Sequence, residues 1–153
     1  MIQKRSAKVE NQVSTQELQH LITVSSGFID AYVIQCHAKA PMLLPQNIVI
    51  SAIDSPTNVP VVEWHESRLP VYRVNTPSSV LGVALVIEGE EADQRFALMC
   101  DEMPRSIRVR ISEVVDDERV ADDQYTMQYV RIGHELFHVP NVEKIQKYIG
   151  IQL

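Results

Sequence analysis

From Phe28 onward the apolar residues come in short runs separated by turn-forming or charged residues, at roughly the 8–15-residue spacing of an all-β chain. Ile29–His37 is rich in β-branched and aromatic residues, and Ala40-Pro41 is expected to break it. Leu43-Leu44-Pro45 leads into a second run, Ile48–Ile53, and Asp54–Asn58 has the composition of a loop. Val61–Trp64 and Leu69–Val74 read as a hairpin around the polar segment His65-Glu66-Ser67-Arg68. Val80–Ile87 and Arg95–Cys100 read as two buried strands with an acidic tip, Glu88–Asp93. Ser106–Ile111 alternates, with Ile107, Val109 and Ile111 on one face and Arg108 and Arg110 on the other, as in a half-buried strand. Tyr129–Ile132 and Glu135–Val139 flank Gly133-His134 as a last hairpin.

The period becomes helical at the two ends. Ser14-Thr15-Gln16-Glu17 is a capping-box pattern, followed by Leu18, Leu21 and Ile22 on one helical face. Residues 1–13 before it read as a flexible tail with Lys4, Arg5 and Lys8, and 14–153 as one domain. Asn141 is placed to cap a C-terminal helix that carries Val142, Ile145 and Ile149, and Gly150 is placed to end it. About nine strands without long intervening helices point to small barrels or a sandwich, not a parallel sheet.

Composition narrows the partners. The 153 residues carry a formal net charge of −6, which argues against nucleic acid, because phosphate binding needs a basic face. Much of that charge is concentrated in 113–123, where six acids and one arginine make a run read as a solvated connection or, more sharply, as an acidic docking surface. Arg105, Arg108 and Arg110 form a small basic cluster expected to pair with it by default, or else to meet a partner's carboxylates. The opening residues form no apolar leader, and the apolar runs are about half the ~20 residues that a membrane-spanning helix needs, so a soluble cytoplasmic protein without membrane insertion is expected. Cys36 and Cys100 lie inside apolar runs and read as buried thiols of a reducing compartment.

Only one motif suggests catalysis. His134-Glu135-Leu136-Phe137-His138 matches H-E-x-x-H, in which a helix brings two imidazoles onto one zinc ion while the glutamate activates water. A small zinc hydrolase built on His134, Glu135 and His138 is therefore one alternative. Gly133 and Pro140 argue against a helix here, and on a strand the two histidines stand about 13 Å apart, as two surface histidines of a hairpin. No cofactor loop is present, since neither a Walker A loop nor G-x-G-x-x-G occurs among five glycines. Trp64, the only tryptophan, reads either as core or as an interface anchor.

The order of these elements resembles CheW-like domains, the adaptors of bacterial chemosensory arrays. Leu69-Pro70-Val71-Tyr72-Arg73-Val74 is similar to the family's Pro-containing strand, and Ala84–Ile87 with Arg95–Glu102 is similar to its next strand pair. Leu44-Pro45 with Ile48 resembles the family's Pro-led segment, and the stretch from Tyr125 to Ile149 resembles its tail. Glu63-Trp64-His65-Glu66 stands where the family often has Asn-x-Arg-Gly, and Arg73-Val74 replaces its Asp-Leu. A tryptophan before the Leu-Pro strand looks more like adaptors attached to type IV pilus systems that drive twitching motility.

The resemblance implies a mainly β fold of two small SH3-like β-barrel lobes around a shared core, with a short C-terminal helix. It implies no active site and no cofactor. The partners it implies are a CheA-type histidine kinase and a methyl-accepting chemoreceptor, contacted through Trp64, His65, Glu66, Arg68 and Arg73.

Overall fold

A computed structural model describes residues 27–121 and 123–152. The tail and the helix expected from Ser14 lie outside the described residues. Within them the elements are β1 (Phe28–Cys36), β2 (Lys39–Pro45), β3 (Val49–Pro56), β4 (Val61–Trp64), β5 (Ser67–Arg73), β6 (Leu81–Ile87), β7 (Phe96–Cys100), β8 (Arg105–Arg110), β9 (Val114–Asp117), β10 (Thr126–Ile132), β11 (Glu135–Pro140) and α1 (Val142–Gln152). They form two sheets. One has six strands in the order β8-β1-β2-β11-β10-β9, and the other has five in the order β3-β6-β7-β5-β4. The six-stranded sheet draws on both ends of the described chain, and the five-stranded sheet on its middle.

Three apolar clusters explain why these segments are strands. Val33, Val130 and Phe137 form the core of the first lobe, joined by Leu43, Ile107 and Ile132. Val62, Leu69, Ala84, Val86, Ala97 and Met99 form the core of the second. Between the lobes lies a larger cluster with Ile34, Met42, Leu44, Leu85, Ile87, Phe96, Leu98 and Cys100. Successive side chains of a strand point to opposite faces. Ala84 and Val86 therefore enter the second lobe while Leu85 and Ile87 enter the shared core, and β7 divides in the same way. Strands buried on both faces read as unbroken apolar runs, as 83–87 and 96–100 do. Gly82 leads into this pair because nothing larger fits: a Cβ there would sit 2.2 Å from the Cys100 carbonyl oxygen.

Helix α1 closes the shared core with Ile145 and Ile149, with Val142 packed beside them. Its first turn is capped by Asn141, whose Oδ1 accepts the Lys144 N–H at 3.1 Å. Gly150 does not end the helix, which continues to Gln152. A lone glycine costs about 1 kcal/mol relative to alanine. That is small beside the anchorage supplied by Ile149, one residue earlier.

Outside the β4–β5 turn, the strand boundaries depart from the sequence pattern in four places. Ala40 and Pro41 do not break the chain but lie inside β2, where the register against β1 shifts between Ile34 and Cys36. A bulge is a place where a strand tolerates proline, and the reversal falls instead at His37-Ala38, with Ala38 at φ 56°. β3 runs through Asp54, Ser55 and Pro56, so the expected loop there is reduced to the turn after Pro56. Val80 and Leu81 are 73% and 71% exposed, so burial in this run begins further along β6.

The fourth departure is the acidic run, which is not simply a connection. Its first part is β9, paired with β10 from Val114↔Ile132 to Asp117↔Tyr129. Asp117 is held by the Arg119 backbone N–H and guanidinium, each at 3.0 Å, and by Arg131 at 2.7 Å. The expected basic cluster pairs mostly elsewhere, Arg105 with Glu135 and Arg108 with Asp30. Only Arg110 turns to the run, reaching Glu113 at 4.0 Å.

Two measurements test this architecture. Leu85, 0% exposed, faces the shared core, so Leu85→Ala lowers the unfolding free energy by about 2–5 kcal/mol in urea titrations. Val80→Ala changes it by less than about 0.5 kcal/mol. The Arg119 amide and guanidinium, with Arg131, hold the Asp117 carboxyl down at about 2, below its ordinary 3.8. A depressed carboxylate stabilises the fold above its unfolded pKa and loses that contribution as pH falls through the folded value. Thermal scans of Asp117→Asn therefore show a lower midpoint than wild type at neutral pH, and the gap closes as pH falls from 3.8 toward about 2.

Candidate functional site

β4 and β5 pair from Val61↔Pro70 to Trp64↔Ser67, so their connection is only two residues long. Ser67 and Arg68 already belong to the strand, not to the loop. A two-residue hairpin matches the twist of its strands when both central residues take positive φ, the type I′ arrangement. His65 and Glu66 do so, at φ 49° and 65°. Both side chains are exposed, as are those of Glu63 and Arg68, which face each other across the hairpin.

Trp64 supports this turn from behind. Its ring is half-buried and packs on the core of the second lobe. The His65 imidazole meets it edge-on, with ring centroids 4.4 Å apart and planes at 82°. The Arg95 guanidinium lies over it, 5.5 Å from the ring centroid. Stacking of this kind contributes about 0.5–1 kcal/mol where water still reaches the cation. Arg95 is in turn fixed by Glu88, Nε to Oε1 at 2.7 Å, and the guanidinium holds the Glu88 carboxyl below its ordinary range. Glu88 and Arg95 flank the acidic tip of the β6–β7 hairpin, so this chain of contacts ties one hairpin tip to the other.

The two tips, joined through Arg95, make an acidic rim. Glu63, Glu66, Glu88, Glu90, Glu91 and Asp93 stand against Arg68 and Arg95, a difference of −4. Trp64, His65, Glu66 and Arg68 are thus brought together. Arg73 is not, since it ends β5 about 20 Å along the strand from the turn. It serves the backbone there, donating from Nε to the Thr57 carbonyl at 3.1 Å and from a terminal nitrogen to the Val59 carbonyl at 2.6 Å. Arg95 and Glu88 were not singled out by the sequence. The signal was their placement on either side of one hairpin tip, and it identifies a pair only once the strands are known to align.

The H-E-x-x-H match does not form a metal site. Gly133 and His134 make a two-residue turn, with positive φ only at Gly133, and Glu135 to His138 are extended in β11. His134 is exposed, whereas His138 is 2% exposed and is not the surface histidine that a simple hairpin suggests. Its Nδ1 lies 2.8 Å from the Ala40 carbonyl, across the β2–β11 junction. Among the described residues no group of three histidine, cysteine, aspartate or glutamate side chains is placed to hold a metal ion. Cys36 and Cys100 are free thiols, and burial pushes Cys36 up to about 11 and Cys100 higher still, away from the reactive thiolate.

A second polar cluster lies where the lobes meet. Lys39 bridges to Asp123 at 2.6 Å, and Tyr125 stands between Tyr72 and Tyr148, with centroid separations of 6.0 and 5.4 Å. Burial, reinforced by Asp123, pushes the Tyr72 hydroxyl up to about 12. The five side chains come from β2, β5, α1 and the segment before β10, so this cluster links both sheets and the helix.

Comparison with known proteins bears on the fold. The sequence matches no family model and no curated protein. Among solved structures, the chain is similar to the scaffolding protein TtCheW from Thermoanaerobacter tengcongensis, with a TM-score of 0.55 and 12% sequence identity over 73% of this chain and 88% of that one. The fold is therefore that of a CheW-like domain, mainly β, with two small barrel lobes and a short C-terminal helix. No helix among the described residues is long and apolar enough to cross a membrane.

The contacts around Trp64 can be read by fluorescence, because the chain has a single tryptophan. Glu88→Gln weakens the hold on Arg95 and loosens the guanidinium from the indole. The tryptophan emission of that variant moves to longer wavelength and is quenched more readily by acrylamide, while far-ultraviolet circular dichroism stays unchanged.

Proposed function

We propose that this chain is a non-catalytic adaptor that couples chemoreceptors to a CheA-type histidine kinase. The observation that carries the reading is the fold likeness to a scaffolding protein, joined to a rigid aromatic platform at the hairpin tip. An adaptor acts by geometry. Two lobes around a shared core make a stiff body, and partners seated on it are held in a constant relative position. Interface energy concentrates in a few anchors, with tryptophan, tyrosine and arginine enriched among them. Trp64 is the anchor in this reading. His65, Glu66 and Arg68 are contacts around it, and Arg73 acts through the 57–59 backbone that it holds.

The pathway follows from the same hairpin. A tryptophan directly before the turn is similar to adaptors of type IV pilus systems, so pilus-based motility signalling is one setting and chemotaxis the other. Charge fits protein partners, since the surface is mixed overall and acidic at the tip.

Calorimetric titration with the kinase's regulatory domain and with the chemoreceptor's signalling tip tests the proposal. Binding of at least one is expected, and Trp64→Ala weakens it roughly 30-fold, equivalent to about 2 kcal/mol. Folded protein that binds neither partner at high micromolar concentration overturns the proposal.

A further inference from the structure

We infer that His65-Glu66 is a strained recognition turn, kept for contact with a basic protein surface and not for folding. The inference rests on the adaptor reading above. Its starting point is the backbone. Among the described residues, Ala38, His65 and Glu66 are the non-glycine residues with positive φ, and only His65 and Glu66 are adjacent. Side chains with a Cβ are strained in this region, and strain of this kind collects at functional sites. The least costly residues for a two-residue turn with both φ values positive are Asn-Gly. The other two-residue hairpins need less: at 133–134 the residue with positive φ is Gly133, and at 37–38 only Ala38, with the smallest side chain, takes it, so 65–66 is the one such turn in which two larger residues do so together.

Nothing within the fold accounts for the exception. Among the described residues, the His65 side chain has one aromatic contact, the edge of Trp64, and no hydrogen bond or ion pair. Glu66 has none of these contacts, and both side chains face solvent. Neither caps a helix or spans strands. The turn is nevertheless held still, because Trp64 is clamped by Arg95 and Arg95 by Glu88. A rigid presentation lowers the ordering cost of binding. The partner's chemistry follows from the rim, where six acids stand against two arginines within the two hairpin tips. A lysine- or arginine-rich protein surface complements it, with an apolar residue opposite Trp64.

The test is the double variant His65→Asn/Glu66→Gly, which installs the relaxed turn. Its thermal midpoint is expected to rise by roughly 2–4 °C, the shift that relief of modest strain gives a domain of this size. Its affinity for whichever partner binds wild type is expected to fall at least tenfold. Wild-type affinity itself falls as salt is raised from about 0.1 M to about 1 M, because screening weakens exposed charge pairs. The readouts separate the failures. No gain in midpoint overturns the strain. Unchanged affinity in the variant overturns the recognition role and leaves the adaptor reading standing, as salt-independent binding does for the basic partner. Wild type that binds neither partner overturns both readings.

Discussion

The whole architecture depends on strands that are buried on both faces. β6 and β7 place Ala84, Val86, Ala97 and Met99 in the second lobe and Leu85, Ile87, Phe96 and Leu98 in the shared core. β1 divides its side chains likewise, with Val33 toward the first lobe and Ile34 toward the shared core. Each lobe's wall is therefore also the wall of the space between lobes, and neither lobe can shift without opening a second core. Burial of one such side chain contributes about 1.5–3 kcal/mol, so the shared cluster of ten buried residues outweighs any surface ion pair in the molecule. Function by fixed geometry requires this stiffness.

The hairpin tip draws on the same stiffness at second hand. Trp64 rests on the core of the second lobe, and Arg95 leaves β7 immediately before the doubly buried Phe96. The aromatic platform thus stands on buried core residues, although its outer surface is polar. The tyrosine cluster at the lobe junction is built differently. Tyr72, Tyr125 and Tyr148 come from β5, the segment before β10 and α1, so it reports the packing of α1 against both sheets and not the position of one turn.

Much of the fold was legible because burial leaves a pattern. The runs read as Val80–Ile87 and Arg95–Cys100 appear as strands buried from 83 and from 96 onward, and the alternation of Ile107 and Val109 with arginines and the Asn141 cap appear as read. What failed to show was structure held by long-range contacts. Val114–Asp117 looked like a solvated connection because its charges conceal a strand that Arg131 of β10 stabilises. Pro41 looked like a break because a bulge opposite β1 cannot be seen from one strand. His138 looked like surface because the Ala40 carbonyl that receives it lies 98 residues away. At the site, the sequence pointed to Trp64 and its neighbours. It missed Arg95, and it grouped Arg73 with a turn at the other end of the strand.

The chain order of the sheets also decides how the molecule is assembled. The five-stranded sheet uses residues 49–100 without interruption, whereas the six-stranded sheet must join 28–45 to 105–140. The second lobe is in effect an insertion within the first. All four of its strand pairings close within residues 49–100, two of them as local hairpins, while β1 and β2, paired with each other, wait for their outer partners β8 and β11 beyond the whole of the inserted lobe. During synthesis the early strands leave the ribosome with their pairing edges open, and the middle lobe is complete before they are covered. The inner lobe is then the template on which the outer one closes, and α1, emerging last, seals the space between them.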